Sequence, residues 1–431
     1  MTHSLERVKR MHPSDKHSSD FSGIDKQPGR SRGTSSLLQF LLRSYFFLGY
    51  AVVIIALVSA FLEFTAWAIW SVHPVTRQAE LENQIASPVY KGAEWAREFW
   101  QEESLRRKKP TVYVPFRIWS VTNWHGKYIN NDSGVRGVWR RTVHSANCDP
   151  AHRVTLWTFG GSTMYGTAVP DWATIPSYLA RELNAGSQNC VVVSNFGVEG
   201  YVTDQELILL GELLKAGGHP DVVIFYDGVN DSSLAWAPSG SPNAHFLFST
   251  VKGRVEGSLS SRLDFLQKSY AVRLIRELLA RAHPAGSVAA LISKQQPNIV
   301  ATLSNYEANL SVAHALSDAY KFKLYCFWQP MLVYGHKPLV PFEQQLADRD
   351  ASGTSMESAW FLTMIGVYRE AERHAASGGS FVFLGDVFNS TREPIYVDEA
   401  HLGPRGNEMI AQAIASFMHR HTEQPQSQNL K

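Results

Sequence analysis

Short apolar segments alternate with longer helical patterns from residue 150 onward, and this alternation restricts the fold more than any other feature of the chain. It is typical of an α/β protein with a parallel sheet and crossover helices. Strands are predicted near Val154–Phe159, Cys190–Asn195, Val222–Tyr226, Lys323–Trp328 and Phe381–Leu384, and helices near Thr174–Asn184, Asp204–Lys215, Leu263–Ala282, Ile299–Ala319, Ser358–Ala376 and Asn407–His421. Because ligands of open α/β sheets bind at the carboxyl ends of the strands, the residues after each strand are the first candidates for a site.

The first predicted strand stops at Gly160-Gly161 and is followed by Ser162. Two glycines after an apolar run indicate a sharp turn at the end of the strand. The stretch lacks the lysine of a Walker phosphate loop, and Met164 stands where the nucleophile elbow G-x-S-x-G has its last glycine. An ordinary strand–turn–helix junction explains the stretch as well as a nucleophile does, so the role of Ser162 depends on its partners.

Three further stretches offer partners for this serine. Gly197 follows the second strand and would present a backbone N–H at the same edge of the sheet, and Asn230 follows the third strand with a carboxamide donor. Asp398 and His401 follow the last strand, three residues apart. One turn can then bring the carboxylate to Nδ1 of the histidine and leave Nε2 free for a serine. Each stretch alone is commonplace, but the four together predict a nucleophile, its base and oxyanion donors.

These four blocks resemble those of SGNH/GDSL-type hydrolases, with Ser162, Gly197, Asn230 and His401 as the matching residues. The resemblance covers about residues 150–422, with an insertion at about 232–297. Gly161 replaces the Asp of the literal Gly-Asp-Ser-Leu, a variant familiar in bacterial members. The resemblance implies a three-layer α/β/α, flavodoxin-like fold. It also implies a serine esterase that hydrolyses a carboxylic ester through an acyl-enzyme on Ser162, with Asp398 orienting His401 and without a metal or organic cofactor.

The substrate stays open at the level of the sequence. The O-acetyl groups of an envelope polysaccharide are one candidate, and aromatic residues near the strand ends would suit either stacking on sugar rings or packing in a core. These residues are Trp157, Tyr165, Trp172, Tyr201, Tyr226 and Trp236. Two alternatives use the same fold: an O-acyltransferase that hands the acyl group to a glycan acceptor, and a non-enzymatic glycan-binding module of the envelope.

An uncharged run of nineteen residues, Ser44–Leu62, predicts a single membrane-spanning helix. About 20 apolar residues cross a bilayer core of roughly 30 Å. Lys and Arg prevail before this run and are scarce just after it, so the N-terminus is predicted to be cytoplasmic and the catalytic domain periplasmic or extracellular. Val58-Ser59-Ala60 resembles a signal-peptidase site, but the long polar tail favours an uncleaved anchor. The predicted parts are a disordered tail at 1–36, an anchor at 37–70, a spacer and N-terminal extension at 71–149, and a disordered tail at 423–431.

The charge of the chain and the positions of its cysteines and basic residues limit the kinds of partner that it could bind. A net charge of +2 without a basic stripe gives no support for nucleic-acid binding, and no Cys/His cluster has metal-ligand spacing. The basic run Arg106–Lys109 is either a solvated face or a contact with anionic lipid headgroups. Export permits a disulfide, and Cys148 and Cys190 could form one if the first two strands are neighbours. Cys326 lies in an apolar strand and is predicted to be a buried free thiol.

Overall fold

The computed structural model describes residues 32–72, 81–140, 149–185, 189–236, 242–258, 269–282, 288–350 and 356–422. Most of the predicted N-terminal tail and all of the predicted C-terminal tail therefore lie outside the described residues. The chain divides into two compact units, the first ending at Thr65 and the second beginning at Ala66.

Helix α1, Arg32–Val72, contains the predicted membrane span. The most apolar 18 residues of its segment Ser36–Ile69 have a mean hydropathy of 2.4, and its large apolar side chains are exposed, such as Phe47 at 77%. At 1.5 Å rise per residue, this segment is long enough for a bilayer core. Within the described parts of the chain, it is the one helix with the length and composition to cross a membrane.

The second unit is built from ten strands and a set of helices in the described residues. The strands are β1 Val112–Val114, β2 Ile118–Ser120, β3 Trp124–His125, β4 Asn130–Asp132, β5 Val135–Arg136, β6 Asp149–Gly160, β7 Asn189–Asn195, β8 Val222–Asp227, β9 Lys323–Trp328 and β10 Val382–Phe383. The α-helices are α2 Ala96–Arg106, α3 Ser162–Tyr165, α4 Ile175–Asn184, α5 Thr203–Lys215, α6 Val229–Ser233, α7 Phe248–Val255, α8 Tyr270–Ala282, α9 Val288–Tyr320, α10 Pro341–Asp350, α11 Met356–Ala376 and α12 Pro404–Thr422.

Eight of these strands form one sheet in the order β10-β9-β8-β6-β7-β5-β4-β3. The five strands β6 to β10 are mutually parallel and follow the order 2-1-3-4-5 when counted along the chain, which is the flavodoxin-like order. The α/β prediction is therefore confirmed. The order reverses between β6 and β8, so a crevice forms beyond their carboxyl ends, where Ser162 and Asn230 follow.

The two faces of the sheet bury different residues of the same strand, as a side-chain period of two requires. In β8, Val223 and Phe225 pack on the face covered by α5, α9 and α11, whereas Val222, Ile224 and Tyr226 pack on the face covered by α4 and α12. All six residues of β8 are buried. A strand covered on both faces reads as a continuous apolar run, which explains why the parallel strands were predictable from the sequence.

The predicted spacer is not a separate element, because part of it extends the sheet. Strands β3, β4 and β5 pair antiparallel with one another, and β5 joins the edge of β7 through Arg136 and Asn195. The sheet is therefore mixed rather than wholly parallel. The polar sequence of this segment suggested a solvated spacer, but Phe99 and Trp100 of α2 are 1% and 4% exposed. The carboxylate of Glu102, one of its many charges, accepts hydrogen bonds from Trp124 and from backbone N–H groups.

The cysteine predictions have separate outcomes. Cys326 on β9 is a buried free thiol, as predicted. Burial raises the pKa of this thiol well above its usual value, so it is a poor nucleophile. Cys190 on β7 is disulfide-bonded, and Cys148 lies outside the described residues.

The described parts of the predicted insertion include α7, α8 and the start of α9. The rings of Phe246, just before α7, and of Trp119 both lie beside Gly200. A Cβ at this glycine would lie 3.4 Å from the Phe246 ring. Phe246 is half exposed. The insertion therefore reaches the loop that follows β7.

Three carboxyl groups are buried together behind the carboxyl ends of β6 and β8. Glu206 on α5, Asp227 at the end of β8 and Asp231 on α6 are each at most 3% exposed. Burial and mutual repulsion raise the pKa values of Glu206 and Asp227 well above their usual range, and burial raises the pKa of Asp231 to about 6. Both carboxylate oxygens of Glu206 and Oδ1 of Asp227 are buried without a hydrogen-bond partner in the described residues. Asp231 accepts hydrogen bonds from the backbone N–H and hydroxyl of Thr203 at the start of α5.

We predict that Glu206→Gln stabilises the protein at alkaline pH. A carboxyl whose pKa is raised by folding stabilises most below its unfolded value of about 4.3, and this stability is lost as pH rises through the folded pKa. The amide keeps the hydrogen-bonding shape without the charge. Thermal melts should therefore show a gain of roughly 1–3 kcal/mol at pH 8 and little change at pH 4.5. Glu94→Gln, at an exposed carboxyl, is the control; equal pH profiles for wild type and Glu206→Gln would contradict the prediction.

Candidate active site

Ser162 lies at the first residue of the short helix α3, directly beyond the carboxyl end of β6. The turn before it requires glycine, because a Cβ on Gly161 would collide with the side-chain amide of Asn230. The glycine pair thus lets the strand end and the asparagine approach the serine from the neighbouring strand. This explains in physical terms why the apolar run stops at Gly160-Gly161.

A continuous chain of hydrogen bonds joins Ser162 to His401 and Asp398. The Ser162 Oγ lies 2.7 Å from His401 Nε2, and His401 Nδ1 lies 2.7 Å from Asp398 Oδ2. With the proton on Nδ1, the ring donates to the aspartate, and Nε2 accepts from the serine hydroxyl. Although 239 residues separate the serine from the histidine, the fold brings the two side chains into direct contact.

The loop after β10 holds Asp398 and His401 on one tight turn. The Val397 N–H donates to the His401 carbonyl at 2.8 Å. The second carboxylate oxygen of Asp398 accepts from the backbone N–H groups of Ala400 and His401 at 3.0 and 2.8 Å. The carboxylate is therefore fixed by its own loop before it binds the imidazole, and the spacing of three residues is what makes this geometry reachable.

The electrostatics of this pair favour the ionised forms of both groups. Burial alone would raise the pKa of Asp398, but the His401 charge and the hydrogen bonds from the ring and backbone outweigh it and hold that pKa well below its usual range. Burial alone would lower the pKa of His401, but Asp398 outweighs it and raises that pKa above the usual histidine value. Glu399 and Glu199 add to this increase in the pKa of His401. The histidine is thus made more basic by its surroundings.

Asn230 and Asp231 are adjacent in sequence but point to different environments. The Asn230 amide lies over Gly161 and donates to the Tyr201 carbonyl at 2.7 Å, so one of its two N–H bonds stays available at the serine. Asp231 is buried and holds the start of α5. The Asn-Asp pair after β8 therefore joins the exposed site to the buried carboxyl groups.

The prediction that Gly197 offers a free backbone N–H as a donor is wrong. Its N–H donates to the side-chain carbonyl of Asn195 at 2.9 Å, and its Cα packs against the backbone of Met164 and Tyr165. A side chain at this position would collide with the helix that carries the serine. Gly197 is thus required for close packing, and its N–H is already used.

Asn195 was missed from the sequence, although its side chain connects two loops of the site. Its amide donates to the Met164 carbonyl at 3.0 Å while its carbonyl accepts from Gly197. It is fully buried at the end of β7. An asparagine at the end of an apolar strand, two residues before a glycine, was the available signal.

The backbone N–H groups of Ser162 and Gly200 have no hydrogen-bond partner within the described residues. Gly200 lies on the loop after β7, directly before Tyr201, whose carbonyl holds Asn230. Sequence reasoning selected Gly197 on this loop and overlooked Gly200, three residues later. Spacing alone could not separate two glycines on one loop, because the choice depends on which N–H is already bonded.

Glu199 links this loop to the N-terminal extension. Its carboxylate accepts from the Arg106 guanidinium at 2.9 and 3.0 Å and from the Thr167 hydroxyl at 2.9 Å. Its backbone carbonyl accepts from the Trp119 ring N–H at 3.1 Å. The extension therefore holds the residue next to Gly200 from two sides.

Arg106 is a buried cation that is held by more than one group. It makes a bidentate pair with Glu103 at 2.7 and 2.8 Å, and its guanidinium lies 5.2 Å from the centre of the Tyr165 ring. Burial would raise the pKa of Glu103, but the arginine charges and hydrogen bonds outweigh it and lower the pKa to about 2. The ion pair therefore persists at every pH at which the protein is expected to be folded.

Most of the aromatic residues proposed for sugar stacking belong to the core. Tyr165, Tyr201 and Tyr226 are fully buried and Trp157 is 7% exposed, so these four cannot stack on a ligand. Trp172 is 40% exposed and remains accessible. Strand ends carry buried aromatics because the sheet is covered on both faces, which the sequence does not distinguish from a lined cleft.

The described residues contain no group of three or more His, Cys, Asp or Glu side chains arranged to hold a metal ion.

No model of a known protein family matches the sequence, and no curated protein sequence matches it. Among solved structures, a member of the lipolytic protein G-D-S-L family from Veillonella parvula DSM 2008 is 12% identical, with a TM-score of 0.32 over 62% of this chain and 99% of that chain. The lipase/acylhydrolase from Enterococcus faecalis is 14% identical, with a TM-score of 0.31 over 62% of this chain and 96% of that chain. An acetyl xylan esterase is 12% identical, with a TM-score of 0.30 over 61% of this chain and 99% of that chain. At these values the activity has to be derived from the site itself.

Proposed function

We propose that this chain is a serine esterase of the SGNH/GDSL type that hydrolyses a carboxylic ester through an acyl-enzyme on Ser162. The observation that carries the proposal is the hydrogen-bond chain from Ser162 Oγ through His401 to Asp398, with 2.7 Å at both steps. A serine hydroxyl that contacts an imidazole, which in turn contacts a carboxylate, is the arrangement that activates a serine nucleophile. The sequence motifs resemble the same family, and this supports the proposal independently of the distances.

The proposed reaction has two halves. Ser162 Oγ attacks the ester carbonyl while its proton passes to His401 Nε2, and the carbonyl oxygen takes the negative charge. The tetrahedral intermediate collapses, the C–O bond to the alcohol breaks, and His401 returns its proton to the leaving alcohol. Water then attacks the acyl-enzyme with His401 again as base, which releases the carboxylic acid and restores the serine. Asp398 holds the tautomer and stabilises the imidazolium in both halves.

We propose three donors for the oxyanion: the N–H groups of Ser162 and Gly200 and the unpaired N–H of the Asn230 amide. This assignment replaces Gly197, whose N–H is already bonded to Asn195. A single donor of this kind is worth about 3 kcal/mol of the barrier. The glycine and asparagine are both held by the loop around Tyr201, so their spacing is fixed before substrate binds.

For location, we propose a single-pass membrane protein with a cytoplasmic N-terminus and a catalytic domain in the periplasm or outside the cell. The charge difference across the apolar helix supports this orientation. For substrate, we propose an acyl ester of the envelope, with polysaccharide O-acetyl groups as the first class to test. Trp172 is 40% exposed and would be accessible to a sugar ring.

We predict that a fluorophosphonate probe labels the protein in membrane fractions through Ser162. Ser162→Ala should abolish labelling, and His401→Ala should slow it by about 10³-fold or more, because the hydroxyl then lacks its base. The matched controls are Ser416→Ala and His419→Ala, which alter an exposed serine and an exposed histidine on α12. Turnover of 4-nitrophenyl acetate should follow the same order.

Labelling of Ser162→Ala at the wild-type rate would overturn the nucleophile. A membrane-impermeant probe that labels intact spheroplasts supports the outward orientation, and labelling only after lysis contradicts it. Addition of a saccharide acceptor separates hydrolase from acyltransferase, since a transferase divides the acyl group between acceptor and water. Glycan binding without any probe labelling would instead favour a non-enzymatic module.

We predict that kcat/KM rises with pH through a midpoint above about 6.5, the usual histidine value, because His401 must be neutral to act as a base. Asp398 raises this pKa, so Asp398→Asn should move the midpoint to lower pH, since the charge that opposes burial most strongly is then removed. The same change should reduce kcat on the order of 10²- to 10⁴-fold. Glu399→Gln removes a neighbouring charge without breaking the hydrogen bond to the imidazole, so a small shift in the same direction is expected. Equal midpoints in wild type and Asp398→Asn would contradict the assigned pair.

A further inference from the structure

The β1–β2 hairpin and its turn carry exposed apolar side chains. Tyr113 and Phe116 are 71% and 80% exposed, and Val112 is 47% exposed. We refer to Val112, Tyr113 and Phe116 as the hairpin patch. Solitary apolar residues on a surface are ordinary, but three that are exposed within five positions of one hairpin are more typical of an interaction site.

The backbone at this turn is unusual for the residues that it carries. Phe116 and Ile118 have φ angles of +62° and +72°, in the left-handed region that favours glycine or asparagine. A surface turn without a function would be expected to carry one of those residues. The chain instead holds a large aromatic ring outward in a conformation that is costly for it, which points to a role for the exposed ring.

Basic residues lie immediately beside the patch. Arg107, Lys108 and Lys109 are exposed and precede Val112 by three to five positions. Arg107 pairs with Glu103, whereas Lys108 and Lys109 have no ion-pair partner within the part of the chain that the structure describes. The hairpin patch and the adjacent unpaired lysines are complementary to an anionic bilayer surface. There, aromatic rings enter the headgroup region and lysines bind phosphate groups.

We propose that the hairpin patch and Lys108–Lys109 bind the surface of an anionic lipid bilayer, as a second membrane contact besides helix α1. The hairpin patch favours lipid over a soluble polyanion as the ligand, because binding of a polyanion would need only the lysines. The same chain carries a helix that is long and apolar enough to cross a membrane, and the patch follows that helix by about forty residues.

The proposed lipid contact would affect the site, because the same hairpin binds the loop after β7. Arg117 donates to the Tyr201 hydroxyl at 2.7 Å and pairs with Glu212, and Trp119 donates to the Glu199 carbonyl. If the hairpin patch binds lipid, the hairpin would fix the orientation of this loop relative to the membrane. The membrane contact itself does not depend on the proposed esterase activity.

The experiment uses the full chain with a bimane fluorophore at Phe116→Cys, reconstituted into phosphatidylcholine vesicles with and without phosphatidylglycerol. Doxyl-labelled lipids quench a fluorophore that enters the acyl region. We expect a blue-shifted, quenched signal that is at least about twofold stronger in the anionic vesicles. The matched control is Ser416→Cys, an exposed serine on α12, which packs on the opposite face of the sheet; it should show no quenching.

A second variant tests the charges. Adding Lys108→Gln and Lys109→Gln should lower the equilibrium constant for the contact about fivefold per lysine and remove the dependence on phosphatidylglycerol. Thermal melts identify any variant that does not fold, and labelling at Tyr113→Cys provides an independent position in that event. The unsubstituted chain gives the background from the buried Cys326.

Several outcomes would overturn the proposal. Absence of quenching at both hairpin positions in both kinds of vesicle excludes a bilayer contact. A response to a soluble polyuronate, but not to lipid, would assign the lysines to an anionic glycan, for which a cavity of about 150 Å³ beside Lys109 and Trp124 is available. A blue shift in detergent that grows with protein concentration would assign the patch to a second copy of the chain.

Discussion

The parallel pairing of β6 with β7 on one side and β8 on the other is the constraint on which the site depends. In this register Thr158 lies opposite Asn195, and Gly160 lies opposite Tyr226. Parallel strands end at the same edge of a sheet, so the loops that carry Ser162, Gly200 and Asn230 begin within one or two residues of one another. Slipping one strand by a single residue would turn each side chain to the other face and separate these loops. The burial of β8 on both faces therefore fixes the register and the site together.

The parts of the site that the sequence predicted are those set by strand ends. Ser162, Asn230, Asp398 and His401 each follow an apolar segment, and the structure brings all four to one edge, while their roles remain a proposal. Gly197 could not be assigned correctly, because its N–H is used by a side chain two residues earlier. Periodicity predicts where a loop begins but not which of its N–H groups are already paired. The same limit applies to the aromatic residues, since Tyr201 follows β7 and Tyr226 lies near the end of β8, and yet both are completely buried.

The buried carboxyl groups explain why Asn230 and Asp231 occur as a pair. Asp231 holds the start of α5 through Thr203 and shares its buried surroundings with Glu206 and Asp227. Such a cluster destabilises its ionised forms, and an arrangement of this kind persists in proteins mainly where it serves a purpose beyond stability. Here Asp231 fixes the short helix α6, which carries the Asn230 amide toward the serine. The position of the proposed donor is thus determined by a neighbouring residue that never reaches the substrate.

The extension before β6 was the least predictable part of the fold, because its polarity is high and its apolar residues have no clear period. Several of its charges have partners within the protein: Arg106 joins Glu103 to Glu199, and Glu102 binds the backbone of the β3–β4 turn. An ion pair that is buried in this way contributes less to stability than to holding its partners in one arrangement. Because Glu199 immediately precedes Gly200, that arrangement includes the loop on which the oxyanion donor is proposed. A segment that the sequence suggests to be a spacer therefore packs against the loop after β7. A contact made by its β1–β2 hairpin would act on the same loop through Trp119 and Arg117.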